Sequence, residues 1–391
     1  MRGRDGARAV LLVAFACVVG CNGTERRALA SDSTAAGAVM DGGSGDSAVS
    51  PSVRVDLTGA GATFPYPLYA RWFNEYALQS RVRINYRSVG STVGIRDLLS
   101  GRADFGATDV PMTDAELAAA PTAVLHVPTA LGAVAITYNV PGLTRPLRLS
   151  SDVIADIFLG RITRWNDARL HALNPGAPLG DSTIRVVHRS DGSGTSYIMS
   201  DYLSAVSPEW KAGPGRGREV KWPTGKGSDG NEGVAGAVKQ QPGSIGYLEV
   251  VYARQNQLRI AHIRNRAGRF LSPMPFEIAS ASTSAFAAFR RPPNSVGSAA
   301  SSGTSAPDLR VSIVDAPGEH AYPIASFTWM LFSPSSLGPV KTRQFTDFLR
   351  WALLDGGSTA AELGYVALPT EAATQVLDDI DALSSRRPVA R

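Results

Sequence analysis

Beyond residue 54 the chain reads as short apolar or alternating runs, each followed by a polar turn and then by a segment of helical period. Val53 to Leu57 alternates and predicts a strand. From Pro65 to Leu78, Leu68, Trp72 and Tyr76 recur at i, i+4 and i+8, with Tyr69 and Phe73 on the adjacent row. This predicts a helix whose prolines sit in the first turn, where a missing N–H costs little. Val82 to Tyr86 alternates again, a helix is expected over about Val93–Ser100, and Phe105-Gly106-Ala107 predicts a short strand ending by Asp109. Val124 to Tyr138 is mostly β-like and apolar. The style returns later, with a strand over Ile184–His188, a helix over Tyr197–Leu203, a strand over Ile324–Phe332, and helices over Gln344–Leu354 and Thr370–Leu383. Strand, turn and helix in alternation argue an α/β fold.

The amino-terminal pattern differs. Arg2, Arg4 and Arg8 precede an uncharged apolar run from Ala9 to Gly20. The run is shorter than the roughly 20 residues a membrane-spanning helix needs, and it has the shape of a secretory signal. Val18-Val19-Gly20-Cys21 resembles the lipobox of bacterial lipoproteins, which implies a signal over 1–20 and a lipid on Cys21. The other cysteine, Cys17, lies inside the leader, so processing would leave no thiol for a disulfide. Residues 21–53 are Ser, Gly, Ala, Asp and Thr with almost no large apolar side chain, which predicts a flexible tether. Pro292 to Pro307 is a second such stretch and is expected to be a surface loop. The remaining body is long enough for two domains. The whole chain's formal charge of +5 is modest, falls further if the leader is removed, and is spread along the chain. No basic cluster interleaves with aromatics, so nucleic acid is a poor partner.

Two turns carry the chemistry. Thr58-Gly59-Ala60-Gly61-Ala62-Thr63-Phe64-Pro65 and Arg189-Ser190-Asp191-Gly192-Ser193-Gly194-Thr195-Ser196 are small, hydroxyl-rich and run into helix-like segments. Such turns point backbone N–H groups and hydroxyls at one spot, which suits an oxyanion at the positive end of a helix. Arg189 adds a guanidinium that can fork around a phosphate. Read alone, Thr63 and Ser91 are as readily helix caps, Arg189 and Asp191 a surface pair, and Asp109 a turn residue before Val110-Pro111.

Seven segments, in order, resemble the phosphate-binding proteins of bacterial high-affinity phosphate ABC transporters. They are GAGATFPYPLYARW (59–72), NYRSVGSTVG (85–94), RADFGATDVPM (102–112), FLGRITRWND (158–167), RSDGSGTSYI (189–198), PGSIGYLE (242–249) and FTDFLRWAL (345–353). The resemblance implies two α/β lobes, 54–138 plus 311–388 and 139–310, each a mixed sheet flanked by helices, with the ligand in the cleft between them. It implies a phosphate site built from Thr63, Phe64, Ser91, Asp109, Arg189, Ser193, Gly194 and Thr195, with Asp191 supporting the arginine. It also implies an extracytoplasmic monomer, anchored to the membrane through Cys21, that needs no cofactor and hands phosphate to permease subunits. Thr92 and Val93 depart from the commoner pattern of two serines followed by glycines.

Asp109 is informative within that frame. A carboxylate beside an anion is tolerable only if the anion brings a proton, as phosphate does and sulfate does not, because an ionised carboxylate only accepts. With a reference value of about 3.9, Asp109 is expected to stay ionised and to reject sulfate from about pH 5 to 8 unless its site raises that value. Enzymatic alternatives find little support. The five histidines (His126, His171, His188, His262, His320) show no metal-ligand spacing. Ser193 lies in G-S-G-T and not in the hydrolase G-x-S-x-G elbow, and Gly225-Lys226-Gly227-Ser228 lacks the Walker pattern. A secreted phosphohydrolase using the same cradle, or a binder of another tetrahedral oxyanion, are the competing readings.

Overall fold

The computed structural model describes residues 55–289 and 310–384. The leader, Cys21, the tether and the Pro292–Pro307 stretch lie outside the described residues. The first half opens with β1 (Val55–Gly61), α1 (Tyr66–Gln79), β2 (Val82–Ser88), α2 (Ser91–Leu99), β3 (Phe105–Thr108), α3 (Asp114–Ala118) and β4 (Leu125–Asn139). β1 does not stop at Leu57. It continues through the glycine-rich segment, paired in parallel with β2 up to Gly61 and Ser88 and with β3 at Gly61 and Ala107. α1 follows the expected spacing and buries Leu68, Tyr69, Trp72, Phe73 and Tyr76. Each such side chain contributes roughly 1.5–3 kcal/mol relative to exposure.

The sheet changes hands along β4. Residues up to Ala133 pair antiparallel with the strand Ala325–Phe332, and residues from Val134 pair antiparallel with the strand Ser244–Glu249. The first sheet is ordered β2, β1, β3, Ala325–Phe332, β4. The second continues from β4 to Ser244–Glu249, Arg185–Arg189 and Lys226–Ser228. β4 is buried almost end to end, which explains its mostly apolar sequence.

β4 therefore changes partner at Ala133/Val134. The chain rejoins the first sheet beyond Ile324, whose carbonyl accepts from the Val134 N–H at 2.8 Å. The segment before Ile324 is held by elements of the second half. Asn265 donates to the carbonyls of Gly318, Glu319 and Ala321, and the Tyr322 N–H donates to Glu277. After the return, the helix Pro339–Leu354 packs Phe345 on Phe105 (4.7 Å between ring centres) and Phe348 on Phe73 (5.3 Å), closing the first core. Ser151–Phe158 and Gly230–Gln240 are among the helices that were not foreseen. The second reads GNEGVAGAVKQ, a poor intrinsic helix, and is held by burial of Val234, Ala235 and Val238.

Candidate anion-binding site

Four chain segments converge between the two sheets. Thr63 and Phe64 lie just ahead of α1 and are buried. Their carbonyls are tied back, Thr63 to the Tyr252 hydroxyl and Phe64 to the Tyr365 hydroxyl, both at 2.7 Å. Thr63 is not the cap of α1. Pro65 holds that position, and the Thr63 hydroxyl accepts from Asn231 Nδ2 at 2.7 Å.

Ser91 is not a cap either. α2 begins at Ser91 itself, two residues earlier than expected, and Gly90 is the N-cap with φ +87°. A side chain at Gly90 would also strike the Asp191 carboxylate, since an added Cβ would lie 2.7 Å from Oδ2. Ser91 is fully buried, and its Oγ accepts from the Asp109 N–H at 3.4 Å. The unusual Thr92 spends its N–H on the Gly192 carbonyl at 3.1 Å, sealing one wall against the other. Val93, next in line, is half-buried.

Asp109 follows β3 and is 2% exposed. Thr328, on the strand Ala325–Phe332, donates to its Oδ1 at 2.9 Å. Oδ2 faces the start of the opposite helix. A Cβ added to Gly194 would lie 2.6 Å from Asp109 Oδ2 and 2.6 Å from Ser91 Oγ, so only glycine fits there. Burial pushes the Asp109 carboxyl up to about 7, against the Thr328 hydrogen bond and the Arg189 charge, which both favour the ionised form. The site thus raises the value, and Asp109 does not stay ionised throughout pH 5–8. Asp109 also lines a cavity of about 420 Å³ with Pro111, Tyr197, Asp201 and Arg216.

Arg189 ends the strand Arg185–Arg189 and is 3% exposed. Its guanidinium is gripped by Asp191, with Nε donating to Oδ1 at 2.6 Å and Nη2 donating to Oδ2. Nη1 donates to Thr195 Oγ1 at 3.2 Å, and the Arg189 N–H donates to the Tyr247 hydroxyl at 3.0 Å. The pair is not a surface pair. It is a buried, self-neutralising unit that presents donors without net charge.

The helix Gly194–Val206 starts three residues before the expected Tyr197. Ser193 is its N-cap. The Ser193 Oγ accepts from the Ser196 N–H at 3.1 Å, and its own N–H donates to the Arg218 carbonyl. The N–H groups of Gly194 and Thr195 sit in the first turn, where the helix offers them no acceptor. They point from the positive end of a 13-residue helix. At the rim, the Arg218 guanidinium crosses to the Glu116 carboxylate of α3. Burial raises Glu116, but the Thr113 N–H and Arg218 win and hold it below its ordinary range.

All nine residues expected from sequence, Thr63, Phe64, Ser91, Asp109, Arg189, Asp191, Ser193, Gly194 and Thr195, thus lie on the segments that meet here. Sequence reasoning missed Asn231, Thr328, Tyr247 and Tyr252, which hold them. Asn231 follows an Asp-Gly pair at a helix start, a signal that could have drawn notice. Thr328 lies in an apolar strand and carries none.

Residues 34–355 match the family model described as a PBP superfamily domain. The phosphate-binding protein PstS of Pasteurella multocida is 42% identical over 316 residues, covering 81% of this chain and 87% of that protein. A solved phosphate-binding protein from Stenotrophomonas maltophilia superimposes with a TM-score of 0.62 at 19% identity, covering 85% and 94% of the two chains. An ABC-type phosphate transport receptor from Vibrio cholerae gives a TM-score of 0.51 at 19% identity, covering 80% of this chain and all of that one. The two-lobed fold, the extent of these matches and the shared sequence place the chain in the PBP superfamily, within the family of phosphate-binding proteins called PstS.

Proposed function

We propose that the protein binds inorganic phosphate between its lobes, outside the cytoplasmic membrane, and delivers it to an ABC phosphate importer. One observation carries this reading. A self-neutralised Arg189–Asp191 pair and a helix start supply donors, while facing them stands one carboxylate, Asp109, with no carboxylate-neutralising partner of its own beyond a hydroxyl. Donors alone would suit any oxyanion. The facing acceptor selects an anion that carries a proton. The contacts we assign to phosphate are Thr63, Phe64, Ser91, Asp109, Arg189, Ser193, Gly194 and Thr195, with Asp191 fixing the guanidinium. The lobes are assigned as 55–133 with 325–384, and 134–324, following the strand pairing.

The relative from Pasteurella multocida is named for phosphate binding, and the Vibrio cholerae structure for ABC-type phosphate transport. Both names agree with permease subunits as partners. The protein acts as a monomer and binds without turnover. The motif Val18-Val19-Gly20-Cys21 supports attachment through a lipid on Cys21, and no helix among the described residues is long and apolar enough to cross a membrane. Cys21→Ser should shift the protein from the membrane to the soluble fraction, as fractionation would show.

The test is calorimetry on the full chain, unfolded and refolded to strip bound anion. Saturable one-to-one binding of phosphate, with sulfate silent at pH 8, is expected. Absence of phosphate binding, or sulfate binding of equal strength, overturns the reading. Release of phosphate from a phosphomonoester would favour the phosphohydrolase instead.

A further inference from the structure

Asn231 is fully buried in the first turn of the helix Gly230–Gln240, and three groups surround its amide. Its Oδ1 accepts from the Glu249 N–H at 2.9 Å. Its Nδ2 lies 2.7 Å from Thr63 Oγ1 and 3.4 Å from Thr195 Oγ1. A backbone N–H can only donate, so the amide oxygen must face Glu249 and the NH₂ must face the threonines.

The hydroxyl directions follow. Thr63 Oγ1 receives a hydrogen from Asn231, so its own hydrogen must turn elsewhere. Thr195 Oγ1 receives one from Arg189 Nη1 at 3.2 Å and one from Asn231, which occupies both lone pairs and frees its hydrogen. The orienting N–H belongs to Glu249, which pairs with Val134 where β4 passes from one sheet to the other. One amide therefore links a hydroxyl of the first lobe to a hydroxyl of the second and gives both the same sense.

We infer that Asn231 is a positioning residue that sets the polarity of the anion site, holding the Thr63 and Thr195 hydroxyls as donors. This rests on the phosphate reading above. A threonine hydroxyl left to itself can donate or accept, and could take the proton that phosphate carries. With both hydroxyls committed as donors, the acceptor role stays with Asp109, and the selectivity assigned to that carboxylate depends on a residue on the opposite wall.

The test is a double-mutant cycle read by phosphate calorimetry on the full chain. Asn231→Asp keeps the shape but can only accept when ionised, so it draws the Thr63 hydrogen onto itself. Phosphate affinity should fall about 100-fold or more at pH 8 and partly recover at pH 5.5, where a protonated Asp side chain can donate again. Thr63→Val should weaken wild-type binding roughly tenfold, yet change affinity by less than about threefold in the Asn231→Asp background, because that hydroxyl has already turned away. Asn231→Ala, which frees the hydroxyl without adding charge, should shrink the Thr63→Val effect in the same direction and serves if the aspartate variant does not fold. A residue acting only as a strut between lobes would give additive losses in both backgrounds and no recovery at low pH. Additivity, with wild-type binding intact, overturns the role of Asn231 alone. Failure of the wild type to bind phosphate overturns the phosphate reading and this inference together.

Discussion

The two walls of the cleft each bury a charge, and they treat it oppositely. On one wall Arg189 is gripped by Asp191, two residues away, so that its charge is balanced within its own wall. On the other, Asp109 has Thr328 as its donor and meets the guanidinium of Arg189, already balanced by Asp191, only across the cleft, so desolvation dominates and lifts its carboxyl to about 7. The Arg189 wall is thus a fixed array of donors, and the Asp109 wall is a titrating acceptor. Affinity and selectivity are thereby assigned to different walls, and they can be broken separately.

The largest effect should come from the fixed wall. Arg189→Ala should weaken phosphate binding by roughly 2–5 kcal/mol, the range for truncating one partner of a buried hydrogen-bonded charge pair. Asp191→Asn, which only loosens the guanidinium, should cost less. Unchanged titrations for Arg189→Ala would remove that wall from the site.

Next is the support of the titrating wall. Thr328→Val leaves Asp109 Oδ1 buried without its donor and should cost about 1–3 kcal/mol of phosphate affinity at pH 8. The loss should shrink toward pH 6, where the carboxyl is protonated in both proteins. A pH-independent loss would mean that Thr328 acts by packing.

A third test reads the titration itself. Competition by sulfate against labelled phosphate should strengthen as pH falls from 8, approaching about tenfold per unit above pH 7 and flattening below it. Asp109→Asn should abolish the slope. The same group gives a stability signature of definite sign. Its folded value lies above its unfolded value, so its contribution is full below about pH 4 and is lost as pH rises through about 7. The melting temperature of the wild type relative to Asp109→Asn should therefore fall between pH 5 and 8, and a rise would contradict the assignment.

The smallest effect belongs to the rim. Glu116→Gln weakens a partly exposed pair with Arg218 and should cost about 0.2–1 kcal/mol, fading with added salt. Stopped-flow release of phosphate should quicken only slightly. A large change would make the rim a principal determinant of closure.

How much of this was legible in the sequence varies with how local the cause is. α1 could be read from Leu68, Trp72 and Tyr76 because one face of one helix is a local property. The site's glycines and hydroxyls were legible because turns and helix starts demand particular residues. The residue at which β4 changes partner was not, since a mostly apolar strand gives no sign of where its neighbour changes. Thr328 and Asn231 were hidden for a related reason, as each acts on a residue more than a hundred positions away. The ionisation of Asp109 also escaped, because burial is a property of everything packed around it.

The strand order has a consequence for how the chain comes to be folded. Ala325–Phe332 lies between β3 and β4, so the first sheet stays in two pieces until the chain is available through Phe332. Contacts that join such distant stretches form late. A chain emerging in order from its amino terminus can assemble the elements of 134–324 while β1, β2 and β3 wait, their open edge unfilled. Thr328 of the returning strand is the donor to Asp109, so the acceptor wall of the site is finished only after the donor wall's lobe has been supplied in full.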